Sequence, residues 1–143
     1  MEEIKKGHLT IRVLHGKEAK RYRKQNKLNK SSHGYIDIQR YFKDLEATKN
    51  HIVYVLIYKE ENPKGYYYNV VKRHELFHAE QLALGLIKEN SKENHYKLEK
   101  DAYMDGLAYV KENYNFFYHV WYRANMYMSL FAEAIGSIKF HRR

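Results

Sequence analysis

Val70 to Lys88 reads VVKRHELFHAEQLALGLIK. Within it stands His74-Glu75-Leu76-Phe77-His78, an H-E-x-x-H. On a helix, residues four apart lie one above the other on the same face. Two neutral imidazoles so placed offer ligands to one Zn²⁺ at about 2.0–2.1 Å each. Glu75 stands beside the pair, where a carboxylate takes a proton from an activated water. Nine His and thirteen Glu in 143 residues would give this pattern by chance in roughly one such chain in twenty. Its neighbours must therefore support it.

They do. Asn69 is a favoured N-cap for a helix over 70–88. Val70, Val71, Phe77 and Leu82 share the histidine face, which predicts an apolar, buried stripe. Leu76, Ala79, Ala83 and Leu86 line the adjacent side. Histidines on a buried stripe need partners. The plainer reading is a pair of core histidines bonded to backbone or carboxylates. Packing alone gives no reason for the Glu between them.

Catalytic zinc usually keeps three protein ligands and one open position. Glu89-Asn90-Ser91 reads as a turn and Lys92 to Asn113 as a second helix. His78 and Glu99 are nearly equidistant from that turn, so in a helical hairpin they stand at similar height. Glu99 shares a stripe with Ala102, Tyr103, Gly106 and Val110, small or apolar residues that let helices approach. Asp101 is the rival at nearly the same height. Its stripe holds Lys97, Asp105, Ala108 and Glu112, a solvated pattern. The periodicity favours Glu99. A surface pairing of Glu99 with a Lys is the alternative.

The H-E-L-F-H followed by Glu99-Lys100-Asp101-Ala102 resembles the gluzincin metallopeptidases, in which a glutamate of an E-x-x-A-type segment completes the site. The short H-E-L-x-H form is most similar to small members, the ImmA/IrrE-type peptidases and minigluzincins. The resemblance covers Ile52 to Val110. It implies a zincin-like fold, zinc held by His74, His78 and Glu99, and Glu75 as general base. It also implies an edge strand beside the cleft that pairs with an extended peptide, a case of β-augmentation. Tyr103 stands where the family often has Asn or Asp. The group supporting a ligand histidine must then lie elsewhere, with Asp105 and Asp101 as candidates. No helix-turn-helix region is evident.

With 143 residues and one Pro, a single domain spanning 1–143 is the expectation, and the length can bury a core. No Cys occurs, so disulfides and thiolate metal sites are excluded. MEEIKKGHLT lacks an apolar h-region, and no apolar run approaches ~18 residues. A cytoplasmic location without membrane spans is therefore expected. The net charge of +9 favours an anionic partner.

His8 to Leu14 alternates and reads as a strand. Lys17 to Lys30 carries seven Lys/Arg against one Glu. It is a candidate nucleic-acid contact or, more simply, a solvated helix or connector. Ser31-Ser32-His33-Gly34 reads as a turn, and Ile36 to Leu45 as a helix. His51 to Lys59 is the clearest strand. Glu60 to Gly65 reads as a turn and Tyr66 to Tyr68 as a returning strand, a β-hairpin leading into the H-E-x-x-H helix. Tyr114 to Phe140 predicts one long or two shorter buried helices, with Phe117, Trp121, Met128, Phe131 and Ile135 in the core. Its aromatic and Met surplus is also a candidate self-association face. His119, Tyr118, Tyr122 and Arg123 are candidates to steady an oxyanion, against a purely structural role. His8, His15, His33 and His51 read as surface or satisfied polar residues. His95, one turn before Glu99, is a candidate support for a ligand. His141-Arg142-Arg143 reads as a basic tail.

The expectation is thus an α+β zinc-dependent metallopeptidase acting on a peptide or protein. Two alternatives stand beside it: a zincin-fold binding or assembly protein without peptidase activity, and a basic nucleic-acid-binding module.

Overall fold

The computed structural model describes residues 1–29, 33–60, 65–89 and 94–141, the last six as helix backbone only. The Ser31-Ser32 part of one expected turn, residues 61–64 of the next, the Asn90-Ser91 turn with Lys92, and the Arg142-Arg143 tail lie outside these residues. The chain is mixed α and β, with a four-stranded sheet and helices. It forms two compact units, Met1–Ser91 and Lys92–Arg143.

The first unit is built on strands β1 (Glu2–Lys6), β2 (Leu9–His15), β3 (Gly34–Ile36) and β4 (Ile52–Ile57), in spatial order β1-β2-β4-β3. Strand β4 pairs parallel with β2 and antiparallel with β3. Its almost continuous apolar run follows from its place at the middle of the sheet, where packed side chains cover both faces. Leu9, Ile11, Val13, Val53, Val55 and Ile57 bury one face. Leu14 and Leu56 bury the other, with Ala19 and Tyr22 of helix α1 (Lys17–Gln25). The basic stretch is accordingly a helix with one buried edge, and Lys17, Lys20, Arg21 and Lys24 are exposed.

Gly34, expected in a turn, starts β3, and Ile36 ends it, so helix α2 runs over Ile38–Thr48. Asp37 caps α2: its side chain accepts from the Arg40 backbone N–H at 3.2 Å. Asp37 is 2% exposed, and Tyr22 Oη donates to its other oxygen at 2.8 Å. Burial first, then the Asp37 carboxylate, push the Tyr22 hydroxyl well above its ordinary range. Tyr22 is therefore a permanent donor that satisfies a buried charge. The Arg40 guanidinium lies over the Tyr22 and Tyr54 rings.

The expected hairpin is not formed. Tyr66 to Tyr68 are the first turn of helix α3 (Tyr66–Ala83), not a strand. Gly65 is the N-cap residue, and Asn69, expected there, donates its backbone N–H to the Gly65 carbonyl from within the helix. Tyrosine favours strands through packing more than through its backbone. Here the helix gives Tyr68 a buried place in the sheet's core cluster. At the other end α3 stops five residues before Lys88. Gly85 adopts φ +76°, the left-handed region open to glycine. Leu86 N–H then reaches the Gln81 carbonyl and Gly85 N–H the Leu82 carbonyl, the paired bonds of a Schellman cap.

The second unit holds helices α4 (His95–Asn113) and α5 (Phe116–His141). Helix α4 buries Ala102, Gly106, Leu107 and Val110. Helix α5 is one continuous rod, but it is not buried. Only Tyr122, Met126 and Leu130 among its described side chains are buried, and Phe117, Trp121, Met128, Phe131 and Ile135 are exposed. The reason is geometric: in a pair of helices each covers one stripe of the other, and α5 is apolar around more than one stripe. Among the described residues no helix is long and apolar enough to cross a membrane.

Candidate metal centre

Helix α3 carries the H-E-x-x-H through its middle, so both histidines have full turns of helix on either side. His78 is buried at 7% exposure and Glu75 at 9%, while His74 is half-buried. The i,i+4 spacing stacks the two imidazoles, with ring centroids 4.7 Å apart and planes at 87°. Their Nε2 atoms face each other at 3.2 Å. Two nitrogens bound to one tetrahedral Zn²⁺ at ~2.0–2.1 Å would stand about 3.3–3.4 Å apart. The observed gap fits that separation. A single Nε2–H bridging the two rings is the metal-free equivalent.

Gln81 decides which atom of His78 is available. Its Oε1 lies 2.8 Å from His78 Nδ1, and the amide is 3% exposed. The oxygen accepts Nδ1–H, which leaves Nε2 with its lone pair toward His74. Such a bond fixes a ligand histidine's tautomer and orientation. Gln81 sits one turn past His78 on the same helix, and of the two carboxylates named as candidates for such support, Asp101 is exposed and Asp105 half-buried on α4. The i,i+3 spacing from His78 to Gln81 was the available signal. Replacing Gln81 with Met keeps the volume and removes the acceptor. Zinc affinity is expected to fall about 10–100-fold, measured by competition with a chromogenic chelator, with the far-ultraviolet circular dichroism unchanged.

Gly34, a turn residue by its sequence context, also bears on the site. A Cβ built there would lie 2.6 Å from Val71 Cγ1 and 3.1 Å from Glu75 Cγ. The bare backbone of β3 therefore lies directly on the α3 turn that carries Glu75. Strand β3 has β4 on one side and no second partner among the described strands. Beside it, burial first and then the Asp37 carboxylate raise the Tyr35 hydroxyl, with Glu75 adding to the effect.

On α4, Glu99 is half-buried and lies on the stripe of buried Ala102, Gly106 and Val110. Lys97, Ala108 and Glu112, on the stripe of Asp101, are exposed, as expected. Gly106 has a use within this unit: a Cβ there would collide with the Tyr122 hydroxyl of α5. Tyr122 is buried, and its hydroxyl donates to the Tyr103 carbonyl at 3.0 Å. Its place is structural. Tyr118 and Arg123 are exposed, His119 is half-buried, and the Tyr118 ring lies against Tyr114. His95 Nε2 lies 2.9 Å from Glu133 Oε2 of α5, an ion pair when the ring is protonated.

No protein-family model matches this chain, nor does any curated protein or any solved structure.

Proposed function

We propose that the chain is a small zinc-dependent peptidase of zincin-like type. Zinc is held by His74, His78 and Glu99, and Glu75 is the general base. The observation that carries this reading is the 3.2 Å approach of two Nε2 atoms on one face of a helix, with Gln81 Oε1 2.8 Å from Nδ1 of the buried His78. Supporting it, Glu99 is drawn into the buried stripe of α4 while Asp101 stays in solvent. The donor set, two imidazoles and a carboxylate, suits Zn²⁺ with one position left open.

Bound Zn²⁺ supplies Lewis-acid chemistry, lowering the pKa of water toward ~7 and polarising a carbonyl. The rest falls to side chains. Gln81 keeps His78 in the ligating tautomer. Glu75, one residue from His74 and held close by the Gly34 backbone, takes the proton of the attacking water as the C–O bond forms. It returns that proton to the amine nitrogen as the C–N bond breaks. Strand β3, the last strand of the sheet and packed against the α3 turn of Glu75, is the candidate to lie beside an extended peptide.

The test is turnover of a denatured protein and a peptide mixture by zinc-loaded chain. Cleavage should stop on chelation and return when zinc is restored. Stoichiometric zinc with no cleavage of any unfolded chain would instead favour the binding or assembly reading, which the exposed apolar side of α5 supports. The exposed basic residues of α1 keep an anionic partner as a further proposal, read out by salt-dependent binding to DNA or RNA.

A further inference from the structure

Helix α5 has two apolar sides. Tyr122, Met126 and Leu130 are buried on one. On the other, Phe117, Trp121, Ala124, Met128, Phe131 and Ile135 follow one another at intervals of 4, 3, 4, 3 and 4 residues. All six are exposed, the five large ones between 37% and 79%. An unbroken alternation of 3 and 4 is the 3.5-residue repeat of a helix seam that meets another helix. A helix lying on a lipid surface needs only a broad apolar face and has no use for that register. Large single-helix apolar patches also exceed what isolated soluble chains ordinarily leave bare.

The area is sufficient. At about 200 Å² per large apolar side chain, the seam with its flanking Val120 and Tyr127 exposes on the order of 900 Å², against about 800 Å² per partner in a stable complex. The sizes along the seam also select an orientation. If two copies cross antiparallel about residue 126, Phe117 meets Ile135, Trp121 meets Phe131, and Ala124 meets Met128. The one small residue then faces a long flexible one, so the layers fill without a void. A parallel pair would set Ala124 against Ala124 and Trp121 against Trp121, leaving one layer hollow and the next overfilled.

We propose that α5 pairs antiparallel with α5 of a second copy of this chain, through the seam from Phe117 to Ile135. The pairing is independent of the zinc reading and needs no metal. Sedimentation equilibrium of the full chain at micromolar concentration should give twice the 17.4 kDa chain mass. The variant Trp121→Glu with Met128→Glu should sediment as a monomer with unchanged helicity, because both positions are exposed within the protomer. A wild-type monomer, or a dimer that survives both charges, overturns the proposal. So does a monomer that floats with anionic lipid vesicles. The chain has no cysteine of its own, so orientation is read by introduced thiols. A mixture of Phe117→Cys and Ile135→Cys chains should form the mixed disulfide. Phe117→Cys alone should not cross-link, its two copies lying about 27 Å apart along the axis at ~1.5 Å per residue. Efficient cross-linking of Phe117→Cys to itself would overturn the antiparallel register.

Discussion

Replacing Glu75 with Gln is expected to lower turnover about 10²–10⁴-fold, the usual contribution of a positioned base, while zinc stays bound. The two readouts separate because Glu75 is the proposed base and not one of the proposed ligands. The amide keeps the size of the carboxylate, so the packing against Gly34 and Val71 is preserved. It cannot accept a proton. Zinc content by elemental analysis should equal that of the unmodified chain, and the initial rate on a zinc-dependent peptide substrate should collapse. An unchanged rate would remove Glu75 from the chemistry. A joint loss of zinc and rate would make it a structural residue of α3.

Gly106→Ala is expected to cost the second unit about 1–3 kcal/mol, the usual range for overpacking. A Cβ at this position would collide with Tyr122 Oη and stand 2.9 Å from Cζ. The ring is buried and its hydroxyl is held by the Tyr103 carbonyl, so it cannot swing aside without losing both. Two smaller effects oppose each other. Losing the hydroxyl's hydrogen bond adds about 0.5–1.5 kcal/mol. Alanine's better helix propensity returns up to ~1 kcal/mol. The clash therefore decides the sign. Unfolding followed through Trp121, the chain's one tryptophan, should show the loss. Adding Tyr122→Phe removes the nearest atom, so the double variant should lose less than the sum of the two singles. Strict additivity would mean that the two residues do not meet.

The parts legible in the sequence were those with one dominant period. Strand β2 alternates, β4 is an apolar run, and both appear where expected. The H-E-x-x-H helix was legible in its middle and misread at both ends. Three consecutive tyrosines carry strand propensity, and only the core place of Tyr68 shows why they wind instead. Gly85 closes the helix by its positive φ, although leucine periodicity continues beyond it. Strand β1, EEIKK, has no apolar alternation to announce it. Backbone pairing to β2, with Ile4 packed against the core cluster and Lys72 of α3 paired with Glu2, makes it a strand. Within the candidate site, the histidines and Glu75 carried a recognisable spacing. Gln81 and Gly34 did not, because an amide's partner and a missing Cβ become meaningful only beside their neighbours. Helix α5 misled for the reverse reason. Its aromatic residues read as core, but the core side of a helix pair needs only Tyr122, Met126 and Leu130.

The most direct measurement is native mass spectrometry of the chain titrated with zinc, beside His78→Ala. One zinc per wild-type chain is expected, and none on the variant at the same concentration. A wild-type chain that takes up no zinc, or a variant that holds it equally well, would contradict it.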